Sequence, residues 1–168
     1  MMMTTSTQSQ LDAGLVNAVM ESVTSVFNNM LQVEPKLANV SAAINFTPSG
    51  DVSAIIGIMG QGGEGMMAIS LDRKLANKLV ARLLGVRESM VLNEDRNDGM
   101  GEIANMVCGK LKVYFSEKAE KAYKLSLPTV ISGAGHEVSG LPRGIPYILL
   151  TIGVEEEQFH IQLCFRGQ

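Results

Sequence analysis

The sequence contains few of the residues from which common catalytic and metal sites are built. Its 168 residues include no tryptophan, two cysteines and two histidines. Cys108 and Cys164 are too few for a disulfide scaffold and lack the close spacing of paired zinc ligands. His136 and His160 have no carboxylate or cysteine at metal-ligand spacing, and no G-x-S-x-G signature accompanies them. We therefore expect no metal site and inert thiols, and we favour structural histidines over a histidine-dependent triad.

The sequence also lacks long apolar runs and dense clusters of one charge. No stretch approaches the roughly 18 apolar residues of a membrane span. The first ten residues lack the basic start and the apolar run of a signal peptide. The net charge is −3 and the pI is about 5.4, without a group of lysines and arginines dense enough for nucleic acid. We predict a cytoplasmic protein with neither a membrane nor a nucleic-acid partner.

What the sequence does contain is enough apolar material for one folded domain. Hydrophobic residues make up 46% of the chain and charged residues 18%, which is typical of a globular protein. A length of 168 residues fits one domain of ordinary size. Residues 1–9 are small and polar, so we predict them to be disordered. The single domain is expected to span residues 10–168.

Hydrophobic periodicity predicts three helices and two hairpins. The helices are expected at residues 11–31, 72–84 and 93–122. The hairpin strands are expected at residues 51–60 and 65–71, and again at 147–154 and 158–165. Residues 40–46 and 125–131 are further strand candidates, and 132–146 is predicted to be a loop. The glycine-rich stretch 60–65 lacks the lysine and the following helix of a phosphate loop, so we predict a hairpin turn there.

The predicted elements occur in the same order twice. Residues 11–71 and 93–165 each contain a helix, a short strand and a pair of longer strands, and the helix 72–84 joins the two halves. Self-similarity of this kind indicates an internal duplication. The predicted fold class is α+β, in which pseudo-two-fold repeats form a largely antiparallel sheet with helices packed on one face.

One polar stripe on the predicted helix 93–122 is the strongest candidate for a functional surface. At 100° per residue, six residues fall on one narrow face, opposite an apolar one. They are Asp98, Glu102, Asn105, Gly109, Lys112 and Ser116. Gly101 and Gly109 each cost about 1 kcal/mol relative to alanine inside a helix. We interpret both glycines as clearance for a docking partner, and Lys112 as a contact for an acidic group of that partner.

The pair formed by Glu102 and Asn105 suits one kind of chemistry. A carboxamide both donates and accepts hydrogen bonds, so it can hold a water and aim its lone pair at an electrophile, as a glutamine does in GTPases. A glutamate can pair with a partner's lysine and fix the docking register. In the first repeat, Glu21 aligns with Glu102 but Thr24 stands in place of Asn105. The second repeat alone therefore has the full pair, which we predict completes the active site of another protein.

The spacing of four residues resembles the signature of a known family. The pattern Asp98-x3-Glu102-x2-Asn105-x22-Pro128 is similar to that of the CheC/CheX/FliY family, the response-regulator phosphatases of bacterial chemotaxis. All four positions and all three spacings agree. The duplication of helix and hairpin resembles this family over nearly the whole chain. A single intact motif makes the chain most similar to the CheX members of the family.

The resemblance implies a CheC-like fold and a mechanism. The substrate would be the aspartyl phosphate of a CheY-like receiver domain, with Asn105 orienting the hydrolytic water and Glu102 pairing with the receiver's active-site lysine. Asp98 and Pro128 would be structural supports. The chain would need no cofactor of its own, since the receiver supplies the Mg²⁺, and a homodimer formed by sheet extension is expected. The alternatives are a non-catalytic receiver-binding or flagellar-switch module of the same fold, and an unrelated small-ligand binder that uses residues 132–146.

Overall fold

The computed structural model describes residues 12–43, 49–138 and 147–167. The segment 1–9, predicted to be disordered, lies outside them. The described ranges contain three α-helices and seven β-strands. The helices are α1 (Ala13–Val26), α2 (Arg73–Leu84) and α3 (Asn93–Ala119), and the strands are β1 (Pro35–Ala43), β2 (Ser49–Gly60), β3 (Gly63–Leu71), β4 (Tyr123–Leu125), β5 (Thr129–Glu137), β6 (Tyr147–Val154) and β7 (Glu157–Gly167). A π-helical turn at Phe27–Leu31 continues α1, and a 3₁₀ turn at Glu88–Met90 precedes α3.

The seven strands form one sheet in which neighbouring strands are antiparallel. The strand order is β1-β6-β7-β3-β2, and β4 and β5 pair with different parts of β2. Strand β1 of the first half pairs with β6 of the second, and β5 of the second half pairs with β2 of the first. If β1, β2 and β3 are exchanged with β5, β6 and β7, the same strand order results, read from the opposite edge of the sheet. The short strand β4 has no counterpart among the described strands in this exchange. This order agrees with the predicted duplication, and the sheet confirms the largely antiparallel α+β class.

The helices pack on one face of this sheet, with α3 in contact with α1, α2 and β2. The apolar side of α3 and the central strands form one core. Its fully buried side chains include Met100, Ile103, Val107, Leu111, Ile56, Ile58, Ile69 and Ile161. A β-carbon on Gly99 would lie 2.7 Å from both γ-carbons of Val80. The close approach of α2 and α3 at this point therefore depends on a residue without a side chain.

The helix ends follow from their capping residues. The Asp12 carboxylate accepts hydrogen bonds from the amides of Gly14 and Leu15, and the Asp72 carboxylate accepts one from Leu75, so both are N-caps. Gly85 closes α2 in the left-handed conformation with φ of 68°, as its position in the sequence predicts. None of the described helices is both long and apolar enough to cross a membrane.

Several element boundaries differ from the sequence prediction, and three of the differences have a clear physical reason. Strand β1 begins at Pro35, before the predicted residue 40, because an edge strand can start on a residue without an amide hydrogen. Strand β5 continues to Glu137, where a loop was predicted from residue 132, because its backbone pairs with β2. The rest of that predicted loop, residues 139–146, lies outside the described residues. Helix α3 ends at Ala119 and not at 122, because Glu120 adopts a left-handed conformation with φ of 51°.

Candidate functional site

The predicted stripe lies on the outer side of α3. The side chains of Asp98, Glu102 and Asn105 are exposed, whereas Ile103 and Val107 on the opposite side are fully buried. The 27 residues of α3 continue without a break through the stripe. Its polar residues are therefore held on a rigid element at fixed spacing, and the amphipathic assignment of this helix is confirmed.

Glu102 and Asn105 are free to contact a partner. Within the described part of the chain, neither side chain has a hydrogen bond or an ion pair. They are three residues apart on a helix, so their side chains are neighbours on one face. A carboxylate and a carboxamide that are exposed, adjacent and unengaged can both be presented to one incoming protein surface.

The proline of the sequence motif lies beside the stripe. A β-carbon on Gly101 would stand 3.4 Å from Cγ of Pro128 and 3.5 Å from Cγ2 of Val130. Gly101 is buried at this contact. The sequence predicts Gly101 as a partner-docking residue, but the space beside this glycine is lined by Pro128 and Val130 of the same chain. The contact agrees with the supporting role expected of Pro128.

The β4–β5 connection is held in place by hydrogen bonds to β2. The amide of Ser126 donates to the Gly57 carbonyl at 2.9 Å, and the amide of Gly57 donates to Ser126 Oγ at 2.8 Å. Ser126 Oγ in turn donates to the carbonyl of Leu127 at 2.9 Å. These three hydrogen bonds fix the backbone that leads into Pro128, so the proline ring is held at a defined position beside Gly101 of α3.

Gly109, one turn beyond Asn105, has different surroundings from Gly101. No atom beyond its own helix and chain neighbours lies within 4 Å of the position that a β-carbon would take. Open space at Gly109 agrees with clearance for a partner. Lys112 continues the stripe and is half-buried. Asp98 is exposed and makes no hydrogen bond or ion pair within the described ranges, so its expected supporting role stays a prediction.

A groove between α1 and α3 opens directly beside Asn105. It has a volume of about 320 Å³. The residues that line it come from the end of α1, its π-helical turn and the middle of α3: Ser25, Val26, Asn29, Met30, Asn105, Met106, Gly109 and Lys110. The periodicity of the sequence did not reveal this groove, because it depends on how two helices that are far apart in sequence pack together.

The first repeat presents an equivalent surface on α1. Asn17, Glu21 and Thr24 line one shallow hollow, so these three residues share a face as Asp98, Glu102 and Asn105 do on α3. The structure therefore agrees with the alignment of the two helices. The difference that matters chemically is the threonine at position 24, which has no carboxamide.

The histidines and cysteines are engaged elsewhere. His136 Nε2 lies 2.6 Å from Ser53 Oγ, and its Nδ1 lies 2.7 Å from the Gly133 carbonyl oxygen. His160 Nδ1 lies 3.2 Å from Thr151 Oγ1, and burial lowers the pKa of His160. Burial raises the pKa of the Cys108 thiol to about 12, so that it is protonated near neutral pH. In the described ranges, no group of three or more histidine, cysteine, aspartate or glutamate side chains is placed to hold a metal ion.

Comparisons with known proteins agree with this fold. The sequence model of the family described as chemotaxis phosphatase CheX matches residues 52–151. The CheY-P phosphatase CheX of Thermotoga maritima is 31% identical over 94% of this chain and 99% of its own length. A crystal structure of CheX from Vibrio vulnificus, 30% identical, has a TM-score of 0.80 over 92% of this chain and all of that one.

The fold also matches a CheX that was crystallised with a partner. The CheX–CheY–BeF₃–Mg²⁺ complex from Borrelia burgdorferi contains a chain with a TM-score of 0.71 and 18% identity, over 90% of this chain and 97% of that one. The family match covers more than half of this chain, and the Thermotoga relative covers nearly all of it. The chain therefore belongs to the CheX family of chemotaxis phosphatases.

Proposed function

We propose that this protein hydrolyses the aspartyl phosphate of a phosphorylated CheY-like receiver domain. The observation that carries the proposal is the exposed, unengaged pair of Glu102 and Asn105 on the rigid outer face of α3. The 31% identical relative is a CheY-P phosphatase, and a CheX of the same fold was crystallised with CheY. Both relationships support a receiver as the partner.

Asn105 acts on the water in this mechanism. An acyl phosphate is hydrolysed when water attacks phosphorus, the bond from phosphorus to the aspartate oxygen breaks, and inorganic phosphate leaves. The Asn105 carboxamide accepts a hydrogen bond from the attacking water and so holds the water lone pair in line with the bond that breaks. An amide is too weak a base to remove the proton, so its contribution is orientation. A Mg²⁺ ion held by the receiver would offset the charge on the phosphoryl oxygens, and the residues of this chain supply orientation and docking.

Glu102 fixes the register of docking. Its carboxylate is three residues before Asn105 on the same face, and it pairs with the lysine of the receiver's phosphorylation site. A charge pair that becomes desolvated in an interface contributes to both orientation and affinity. Removing it therefore weakens docking and places the Asn105 carboxamide less accurately.

We also propose a homodimer formed by sheet extension. Within the described sheet, β1 lies at one end, and β4 and β5 lie at the other. Unpaired strand edges of this kind can bind the edge of a second copy. Light scattering coupled to size-exclusion chromatography distinguishes the dimer from a monomer.

The catalytic proposal is tested by the loss of acyl phosphate from Mg²⁺-loaded receiver domains of the same organism. The wild-type chain is expected to accelerate this loss, and Asn105→Ala is expected to reduce the acceleration roughly 100-fold. Glu102→Ala is expected to reduce kcat/KM roughly tenfold or more, with KM raised. Thr24→Ala and Glu21→Ala are the matched controls, because they change the equivalent positions of α1 and are expected to leave the rate unchanged.

The same assay separates the alternatives. Binding of a phosphorylated receiver without any acceleration identifies a non-catalytic interaction module and contradicts the proposed reaction. Full activity in Asn105→Ala contradicts the water-orienting role even where the wild type is active. Equal losses in Glu21→Ala and Glu102→Ala contradict the assignment of the active face to α3.

A further inference from the structure

The end of α1 departs from regular helix geometry next to Asn105. The turn at Phe27–Leu31 is π-helical, and it ends where Gln32 adopts a left-handed conformation with φ of 55°. Single π-helical turns are uncommon and occur frequently at functional sites. Phe27 and Leu31 of this turn are buried in the core, whereas Met30 keeps 48% of its surface exposed. Phe27 and Leu31 therefore fix the turn in the core, and Met30 is left exposed at the surface.

The displayed methionine lies on the groove between α1 and α3. Met30 and Met106 face this groove from the two helices, and Lys110 also lines it. Thioether side chains are flexible and polarisable, so they adapt to the shape of an apolar group. An exposed methionine that is paired with a second one across a groove is suited to receive an apolar side chain, with a cation beside it.

The groove and the catalytic stripe share two residues. Asn105 and Gly109 lie on the stripe and also line the groove. A protein that brings a phosphoryl group to Asn105 therefore covers the groove as well. The stripe itself is polar, and a stable interface needs roughly 800 Å² from each partner with a desolvated apolar anchor near its centre. Of these two adjoining surfaces, the groove is the one that can supply the anchor.

We propose that this groove receives an aliphatic or aromatic side chain of the receiver, and that this contact determines which receivers are accepted. The inference rests on the proposed function, since the occupant is the same receiver. A Mg²⁺ ion beside a phosphoryl group is bound in proteins through one or two carboxylates, so we expect acidic side chains on a receiver near its phosphoryl group. Lys110 complements that charge at the groove.

The test compares two exposed methionines. Met30→Glu places a carboxylate in the groove, and Met90→Glu makes the same change at a residue that is 56% exposed on the 3₁₀ turn before α3. Met30→Glu is expected to raise KM for the phosphorylated receiver about tenfold while kcat stays within about twofold. Met90→Glu is expected to change neither. Met30→Leu keeps an apolar side chain in the groove and is expected to keep the KM of the wild type.

A binding measurement distinguishes a failure of the groove proposal from a failure of the proposed hydrolysis. Binding of the receiver loaded with Mg²⁺ and beryllofluoride is measured by calorimetry, which does not depend on turnover. Weaker binding by Met30→Glu but not by Met90→Glu supports the groove as the anchor. Unchanged binding and KM in Met30→Glu, with an active wild type, overturn the groove assignment and leave the proposed reaction standing. Tight binding by a wild type that lacks acceleration contradicts the reaction alone.

Discussion

Gly101 and Pro128 are in contact although 26 residues separate them in the sequence, and a β-carbon on Gly101 would stand 3.4 Å from the proline Cγ. Between them the chain completes α3, runs along β2 as β4, and turns back through Ser126. The 22 residues between Asn105 and Pro128 are therefore the length of chain that completes α3, forms β4 and returns to the side of α3 near Gly101. Pro128 therefore packs beside the helix that carries the proposed active pair, as the supporting role predicted for it requires.

This contact predicts a graded response to side-chain size at position 101. Gly101→Ala is expected to be tolerated, because a β-carbon 3.4 Å from Cγ of Pro128 would make an ordinary van der Waals contact and alanine favours the helix. Gly101→Leu is expected to lower the free energy of unfolding by about 1–3 kcal/mol, since it overpacks the contact with Pro128. Urea denaturation measures both values. Equal stability of the two variants would falsify the close packing described here.

Gly109 is expected to separate stability from activity. Its neighbourhood is open, so Gly109→Ala gains up to about 1 kcal/mol of helix propensity and raises the midpoint of thermal unfolding. The added methyl group occupies space that the docking receiver is expected to fill, and kcat/KM is expected to fall several-fold. A stabilised variant with wild-type kcat/KM shows that Gly109 does not provide docking clearance.

Cys108 is expected to be chemically silent in the folded protein. Its side chain is fully buried, and burial raises the pKa of the thiol to about 12. At pH 8 the thiolate is then roughly one part in 10⁴. Iodoacetamide is expected to leave Cys108 unmodified in buffer and to label it after unfolding in guanidinium chloride, as mass spectrometry can show. Rapid labelling of the native chain contradicts the burial of this thiol.

The buried charge of Arg96 is expected to lower the free energy of unfolding of the protein. Its side chain is only 3% exposed, and its hydrogen bonds go to the neutral oxygens of Asn77 and Ser132 at 3.3 Å. Nε has no partner within the described ranges. Burial, with the nearby charge of Arg73, lowers the pKa of Arg96, which indicates that the charged form is disfavoured there.

Replacing this buried charge with an apolar side chain of similar length tests the point. Arg96→Met is expected to raise the free energy of unfolding by about 1 kcal/mol, because the desolvation of an unpaired charge is removed. Asn77 and Ser132 are partly exposed, so water can replace their lost hydrogen bonds. Arg96→Lys keeps the charge without the reach and is expected to be less stable than the wild type. A loss of stability in Arg96→Met that exceeds the loss in Arg96→Lys contradicts this account.

The exposed polar face of α3 was predictable because its signal in the sequence is local. The period of an amphipathic helix determines which side of α3 is buried, and Glu102 and Asn105 are exposed as that period requires. The hairpins followed in the same way from the alternation of apolar residues along β6 and β7. Capping residues such as Gly85 marked the end of α2 through conformational freedom alone.

The features that the sequence did not reveal depend on contacts between distant segments. Pro128, which lies next to Gly101, comes after the end of α3 in the sequence. The sequence alone does not show this neighbour, so Gly101 was interpreted as clearance for another protein. The burial of Arg96 depends on the packing of α2 and β5 against the start of α3, so it has no local signal in the sequence. The π-helical turn at Phe27–Leu31 was not predicted, and its first and last residues are buried against elements that are distant in the sequence.

The exchange of strands between the halves also determines when the chain can complete its structure. During synthesis, β1 leaves the ribosome early, but its only partner in the described sheet is β6, near the other end of the chain. Until Tyr147–Val154 has emerged, both edges of β1 are unpaired and exposed to aggregation. A nascent chain that carries the first repeat alone therefore cannot reach its final sheet. Premature termination within the second repeat leaves a substrate for chaperones and proteases rather than a smaller working protein.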